Sequence, residues 1–147
     1  MCLPVKPYKV EREWKHLGLS CAVVQNREAS NRCGYVRVPP GHPLFGKSYD
    51  DVDINVHGGL TFAEEEPCTE HEDGQGWWFG FDCAHAGDIT LDPSLSRDEL
   101  PETMRFVYDI QHKFPIFAEH YWTQSEVEAE TESLAAQLAS DCISYDQ

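Results

Sequence analysis

Four side chains stand out for chemistry: His57, Asp82, His85 and Asp88. The last three recur at intervals of three within Asp82-Cys-Ala-His-Ala-Gly-Asp88, with small residues filling the gaps. Two imidazoles and two carboxylates suffice to hold a divalent metal while leaving positions open for water and substrate. The same set also suits a general base with an orienting carboxylate. A structural role competes with both, since Asp and His in loops commonly satisfy backbone groups, and Asp88 fits that role best. Cys83 beside a histidine suggests a nucleophile, but strand alternation turns its thiol toward the core.

These residues need strands to bring them together. Val52-Asp-Ile-Asn-Val-His57 alternates apolar and polar residues without a break, which predicts a strand with Val52, Ile54 and Val56 inward and Asp53, Asn55 and His57 outward. Gly58-Gly59 then offers a turn into a partner strand over Leu60–Ala63. Trp77–Cys83 is rich in aromatics and reads as a second strand, with Trp77, Phe79, Phe81 and Cys83 on the core side and Trp78, Gly80 and Asp82 on the other. If the two strands share a sheet, Trp78 walls a polar floor of Asp53, Asn55, His57 and Asp82, and Gly80 leaves room for a flat ligand. The competing expectation is a sheet surface covered by a helix.

Further strands are expected over Leu19–Gln25 and Cys33–Val38, the latter stopped by Pro39-Pro-Gly-His-Pro43. Arg37, His42 and Lys47 flank that loop and offer positive charge or ring donors to an anionic ligand, or else are ordinary surface. The acidic stretch Glu64–Gly76 reads as a solvated loop. A helix is expected over Pro101–Phe114, ended by Pro115. A second starts near Thr123, where Thr123-x-x-Glu126 fits a capping box, and runs to about Ser140. Val127, Leu134 and Leu138 form its apolar stripe, which serves either the sheet or a homodimer. Residues 1–18 show no clean period and read as an irregular N-terminal arm of a single domain over 1–147. The class that follows is α+β: a mostly antiparallel sheet of four to five strands with the two C-terminal helices on one face.

Composition narrows the function. Hydrophobic residues make up 41% of the 147, so wholesale disorder is excluded and one core is expected. The net charge of −15 is unevenly spread: eight of the 11 bases but only three of the 26 acids precede Ser48. Such a field disfavours general nucleic-acid binding. No apolar run reaches signal-peptide or bilayer length, so the cytoplasm is the expected compartment, with no membrane partner. The six cysteines, none in a Cys-x-x-Cys pair, are then expected as reduced and mostly buried thiols.

The strings His57-Gly-Gly-Leu-Thr-Phe62 and Trp77-Trp-Phe-Gly-Phe-Asp-Cys-Ala-His-Ala-Gly-Asp88, preceded by Gly41-His-Pro-Leu-Phe-Gly46, resemble an uncharacterised family of small bacteriophage and prophage proteins. The resemblance runs from roughly Cys33 to Ala139 and leaves Met1–Arg32 outside it. It implies a mobile-element setting inside a bacterial host cell, where accessory proteins counter host defence. Three functions follow as expectations. The first is capture of a small nucleotide-like ligand such as an immune signal, with Trp78 stacking on the base, His57, Asp82 and His85 bonding the sugar or base edge, and Arg37 or Lys47 answering the phosphates. This reading needs no cofactor. The second is a metal-dependent hydrolase with His57, Asp82, His85 and Asp88 around a divalent ion. The third is an acidic inhibitor that mimics nucleic acid before a host enzyme, using Glu64–Asp73 and the series Glu126, Glu128, Glu130 and Glu132.

Overall fold

Alternating apolar residues in the first half of the chain build one five-stranded antiparallel sheet. Its strands are β1 (Tyr8–His16), β2 (Leu19–Asn26), β3 (Arg32–Val38), β4 (Phe62–Glu65) and β5 (Trp77–Asp82), in the order β1-β2-β3-β5-β4. The computed structural model describes the chain except residues 1–2, 5–7, 28, 69–71, 86, 114–117 and 146–147. A parallel ribbon joins β6 (Gly87–Asp88) to β7 (Ala118–His120), and two helices, α1 (Glu102–Lys113) and α2 (Gln124–Tyr145), lie in the C-terminal part. The α+β class and the antiparallel sheet agree with the sequence reading.

The N-terminal segment is a correction. It is an edge strand and not an irregular arm, paired with β2 from Tyr8 to His16. The pairing slips between Val10 and Arg12, and such a bulge breaks the two-residue period that alternation relies on. Charged side chains suit an edge that must not recruit another strand. Leu17 and Gly18, with φ of 52° and 82°, make the tight turn into β2 with both residues left-handed.

Both faces of the sheet are covered. On one, Val127, Leu134, Ala135 and Leu138 of α2 meet Cys21, Val23, Val36, Phe79 and Phe81, all fully or almost fully buried. Each large aliphatic chain there contributes about 1.5–3 kcal/mol by leaving water. The stripe is therefore consumed within the chain and does not form a dimer face. α2 starts where the capping box requires: Thr123 Oγ1 accepts from the Glu126 amide at 3.3 Å, and Glu126 Oε1 accepts from the Thr123 amide at 3.1 Å. The helix continues beyond Ser140, to Tyr145. Pro115, the expected stop of α1, lies outside the described residues. On the opposite face of the sheet, Ala22, Val24, Cys33, Tyr35 and Trp78 form a second cluster with Leu3 and Phe62 packed against it.

The Val52–His57 segment is extended but joins no sheet. Its alternation is real, with Val56 buried, Val52 and Ile54 half-buried, and Asp53 and Asn55 exposed. Side chains of α2 substitute for a partner strand: Gln137 bonds both backbone groups of Asn55, and Glu130 accepts from the His57 amide at 2.9 Å. The expected partner strand starts later, at Phe62, and pairs with β5 instead.

The cysteines also depart in part from expectation. Cys21, Cys33 and Cys83 are buried thiols outside any disulfide, whereas Cys68 is disulfide-bonded. Cys2 and the side chain of Cys142 lie outside the described residues. Among the described residues no helix is long and apolar enough to cross a membrane.

Candidate functional site

The site gathers where the sheet ends beside the first turns of α2. Gly58 and Gly59, with φ of 69° and 78°, turn the chain after Val56, and Gly59 donates back to the Val56 carbonyl at 2.8 Å. This leaves His57 at the bend. After β5, Asp82 Oδ1 accepts from the Ala84 amide at 3.1 Å, and His85 and Asp88 close a tight turn through the bond from Asp88 N to the His85 carbonyl at 2.9 Å. Gly58 and His85 are in intimate contact: a Cβ on Gly58 would lie 2.3 Å from His85 Cε1, so only glycine lets the imidazole lie against the turn.

His57, His85 and Asp88 each offer a donor atom, and these atoms lie within 4.8 Å of one another. The His57 Nε2–H points at the Asp88 carboxylate, 2.8 Å from Oδ2 and 3.0 Å from Oδ1. Asp88 Oδ2 also accepts from the His85 amide at 2.9 Å. The carboxylate is 4% exposed while the two imidazoles are 24% and 29% exposed, so the anion is recessed and the rings border solvent. His85 Nδ1 is buried without a hydrogen-bond partner, 3.5 Å from Asp82 Oδ1 and 3.6 Å from Asp88 Oδ2. A ring nitrogen suspended between two carboxylates at more than bonding distance is an unusual arrangement, because buried polar atoms are normally paired.

Trp122 forms the aromatic wall. Its ring lies tilted over His57, with centroids 4.3 Å apart and planes at 35°, and His120 meets it edge-on at 5.4 Å. Arg32 fixes this segment by donating to the Trp122 carbonyl at 3.1 Å and to Tyr121 Oη at 3.0 Å, while holding Glu11 with its other nitrogens. His120 is in turn bonded to Glu126 at 2.7 Å. Sequence reasoning passed over Trp122 and His120. The available signal was their i, i+2 spacing immediately before the capping threonine, where neither can belong to the helix.

Of the residues expected to hold a nucleotide, His57, Asp82 and His85 gather here, whereas Trp78, Arg37 and Lys47 do not join them. Trp78 is fully buried, and its Nε1 donates to Glu66 Oε2 at 3.1 Å, so its indole offers no face to a ligand. The space over Gly80 is filled by the ring of Tyr35, which meets Phe62 edge-on with centroids 5.2 Å apart. Arg37 is equally sealed: its guanidinium holds Glu66 through two bonds of 3.0 Å and Asp73 through bonds of 3.0 and 2.9 Å. Glu66 is thus a buried ion-pair partner and not part of a solvated loop. Lys47 is exposed, contributing only its carbonyl to Trp77 Nε1 at 3.1 Å. His42 is buried, its Nε2–H donating to the Leu138 carbonyl at 2.9 Å while Nδ1 accepts from the Leu44 amide at 3.0 Å. It serves the packing of α2.

No protein-family model, curated protein or solved structure matches the chain.

The acidic series on α2 is internally engaged and not a free charged face. Glu126 takes His120 and Thr123, Glu128 takes Arg12, Glu130 takes the His57 amide, and Glu132 takes His16. The Cys83 thiol is buried, and that burial, with the Asp88 carboxylate adding to it, raises its pKa and disfavours the thiolate that a nucleophile needs.

Proposed function

We propose that this protein binds a divalent transition-metal ion through His57, His85 and Asp88 and uses it for hydrolysis, with Asp82 as the proton acceptor. One observation carries the reading: two imidazoles and a carboxylate, separated by up to 31 residues in sequence, converge to within 4.8 Å at a half-open rim. The donor set is mixed nitrogen and oxygen, which suits zinc, manganese, iron or nickel better than calcium or magnesium. His85 Nδ1 supports the fit, for it is buried, makes no hydrogen bond, and stands 3.5 and 3.6 Å from the carboxylate oxygens of Asp82 and Asp88.

A bound divalent ion would polarise a substrate oxygen and acidify a coordinated water. The chain's own residues supply the rest. Asp88, recessed and held by the His85 amide, fixes the orientation of the His57 ring. Trp122 covers one face of that ring and limits water on that side. The Asp82 side chain is 34% exposed and sits beside His85, within reach of solvent, where a carboxylate can accept a proton.

Calorimetric titration of metal-free protein with Zn²⁺ and Mn²⁺ tests the reading. One ion per chain with micromolar or tighter affinity is expected, lost in His57→Ala and in His85→Ala. Binding that is absent in the parent protein, or unchanged in both variants, overturns it. Hydrolysis of activated phosphate and carboxylate esters by the loaded protein then tests the chemistry, with Asp82→Asn retaining the ion and losing turnover. Nucleotide capture draws no support from the sealed Trp78 and Arg37, and a host-directed phage role rests on the sequence resemblance alone.

A further inference from the structure

The open end of the β1–β2 hairpin and the segment 92–101 together line a cleft of about 470 Å³. That volume falls in the range used for small-molecule ligands. The two walls are joined where the Ser30 amide donates to the Thr90 carbonyl at 2.8 Å and Tyr121 Oη donates to the Ser30 carbonyl at 3.1 Å. The cleft is therefore anchored at its base.

The charges lining it are segregated. Lys9 and Arg27 come from the strand side, and among the described residues neither side chain has an ion-pair or hydrogen-bond partner. They bring two of the chain's 11 bases to one cavity, against 26 acids in the whole sequence. Asp92 and Glu99 stand on the opposite wall, each tied down by one oxygen: Asp92 Oδ1 accepts from Ser94 N and Oγ at 2.9 and 2.7 Å, and Glu99 Oε1 accepts from Ser96 Oγ at 2.9 Å. Each carboxylate is held in position with its other oxygen left over, since a carboxylate accepts about four hydrogen bonds. Leu95, Leu100 and Pro101 supply an apolar patch between the charged groups.

We propose that this cleft binds a small zwitterion of the free amino-acid type, with its carboxylate toward Lys9 and Arg27, its ammonium toward Asp92 and Glu99, and an apolar side chain against Leu95 and Pro101. A simple anion would satisfy the cations but would face two fixed carboxylates, and a simple cation would meet the converse. Only a molecule carrying both charges answers both walls. The cleft is separate from the His57 cluster and the proposal is independent of any metal.

Leucine, N-acetyl-leucine and leucinamide distinguish the charge requirements in a thermal-shift and calorimetric comparison on the full chain. Leucine is expected to bind at micromolar to low millimolar concentration, with the N-acetyl and amide forms at least tenfold weaker. Arg27→Gln, at an exposed position, and Asp92→Asn, at a half-buried one, are each expected to weaken leucine at least tenfold while circular dichroism and melting of the free protein stay near those of the parent. Equal binding of all three compounds, or no leucine binding at 10 mM on the order of the weakest useful affinity, overturns the proposal. So does binding that survives both substitutions unchanged.

Discussion

The side-chain amide of Gln137 is bonded to both backbone groups of Asn55, Oε1 accepting from the amide at 2.9 Å and Nε2 donating to the carbonyl at 2.8 Å. A neighbouring strand would make the same pair of bonds. One helical glutamine therefore holds a strand-like segment that has no ladder, and His57 lies two residues further on. Gln137→Ala should lower unfolding stability by about 1 kcal/mol, the usual worth of such bonds where water can replace them. Because His57 loses its upstream anchor, Zn²⁺ affinity should fall as well. Urea unfolding and metal titration of the same variant check both.

Gly58 and Gly59 form a natural control for each other. Both have positive φ, so alanine at either strains the backbone by about 1–3 kcal/mol. Only at Gly58 does the added carbon collide with His85, since nothing lies within 4 Å of the corresponding position at Gly59. Gly58→Ala should abolish metal binding and Gly59→Ala should largely keep it, at similar losses of melting temperature. Calorimetry at a temperature where both are folded distinguishes them.

Trp78→Phe separates the sheet's second core from the site. The change removes the Nε1 donor to Glu66 and should cost about 1–3 kcal/mol, because a buried acceptor loses a partner. Metal affinity should not change. A weakened ion would mean that Trp78 communicates with the His57 cluster.

Arg37 and Glu66 form a pair whose side chains are only 8% and 0% exposed. Arg37→Ala should destabilise by about 3–5 kcal/mol, since it strands a buried carboxylate. Burial by itself would raise the Glu66 pKa, but the bonds from Arg37, the Gly76 amide and Trp78 outweigh it and hold the carboxyl below the usual glutamate range. A carboxyl lowered on folding adds stability above its unfolded pKa and loses it as pH falls through the folded value. The parent should therefore lose more stability between about pH 5 and about pH 3 than Glu66→Gln does. Denaturant melts across that range give the two slopes.

Much of this molecule was legible in the chain. The strands β2, β3 and β5, the Thr123 cap and the stripe of α2 follow from local alternation and helical spacing, which depend on neighbours within a few residues. The division of Trp77–Cys83 into two faces was also correct. The types of the site residues, histidines and aspartates clustered around Gly58 and Gly87, were visible too. Alternation assigns side chains to faces, however, and is silent on what covers each face. Tyr35 over Gly80, Glu66 under Trp78 and α2 along Val52–His57 are contacts between residues far apart in sequence, and they alone determined that Trp78 is core while Trp122 lines the site. The bulge in β1 hid a whole strand for the opposite reason, because one extra residue cancels the period that would have revealed it. Which groups share a surface was written in the order of residues; whether that surface meets water was fixed only when distant segments packed against it, since burial is a property of the assembled neighbours and not of the strand.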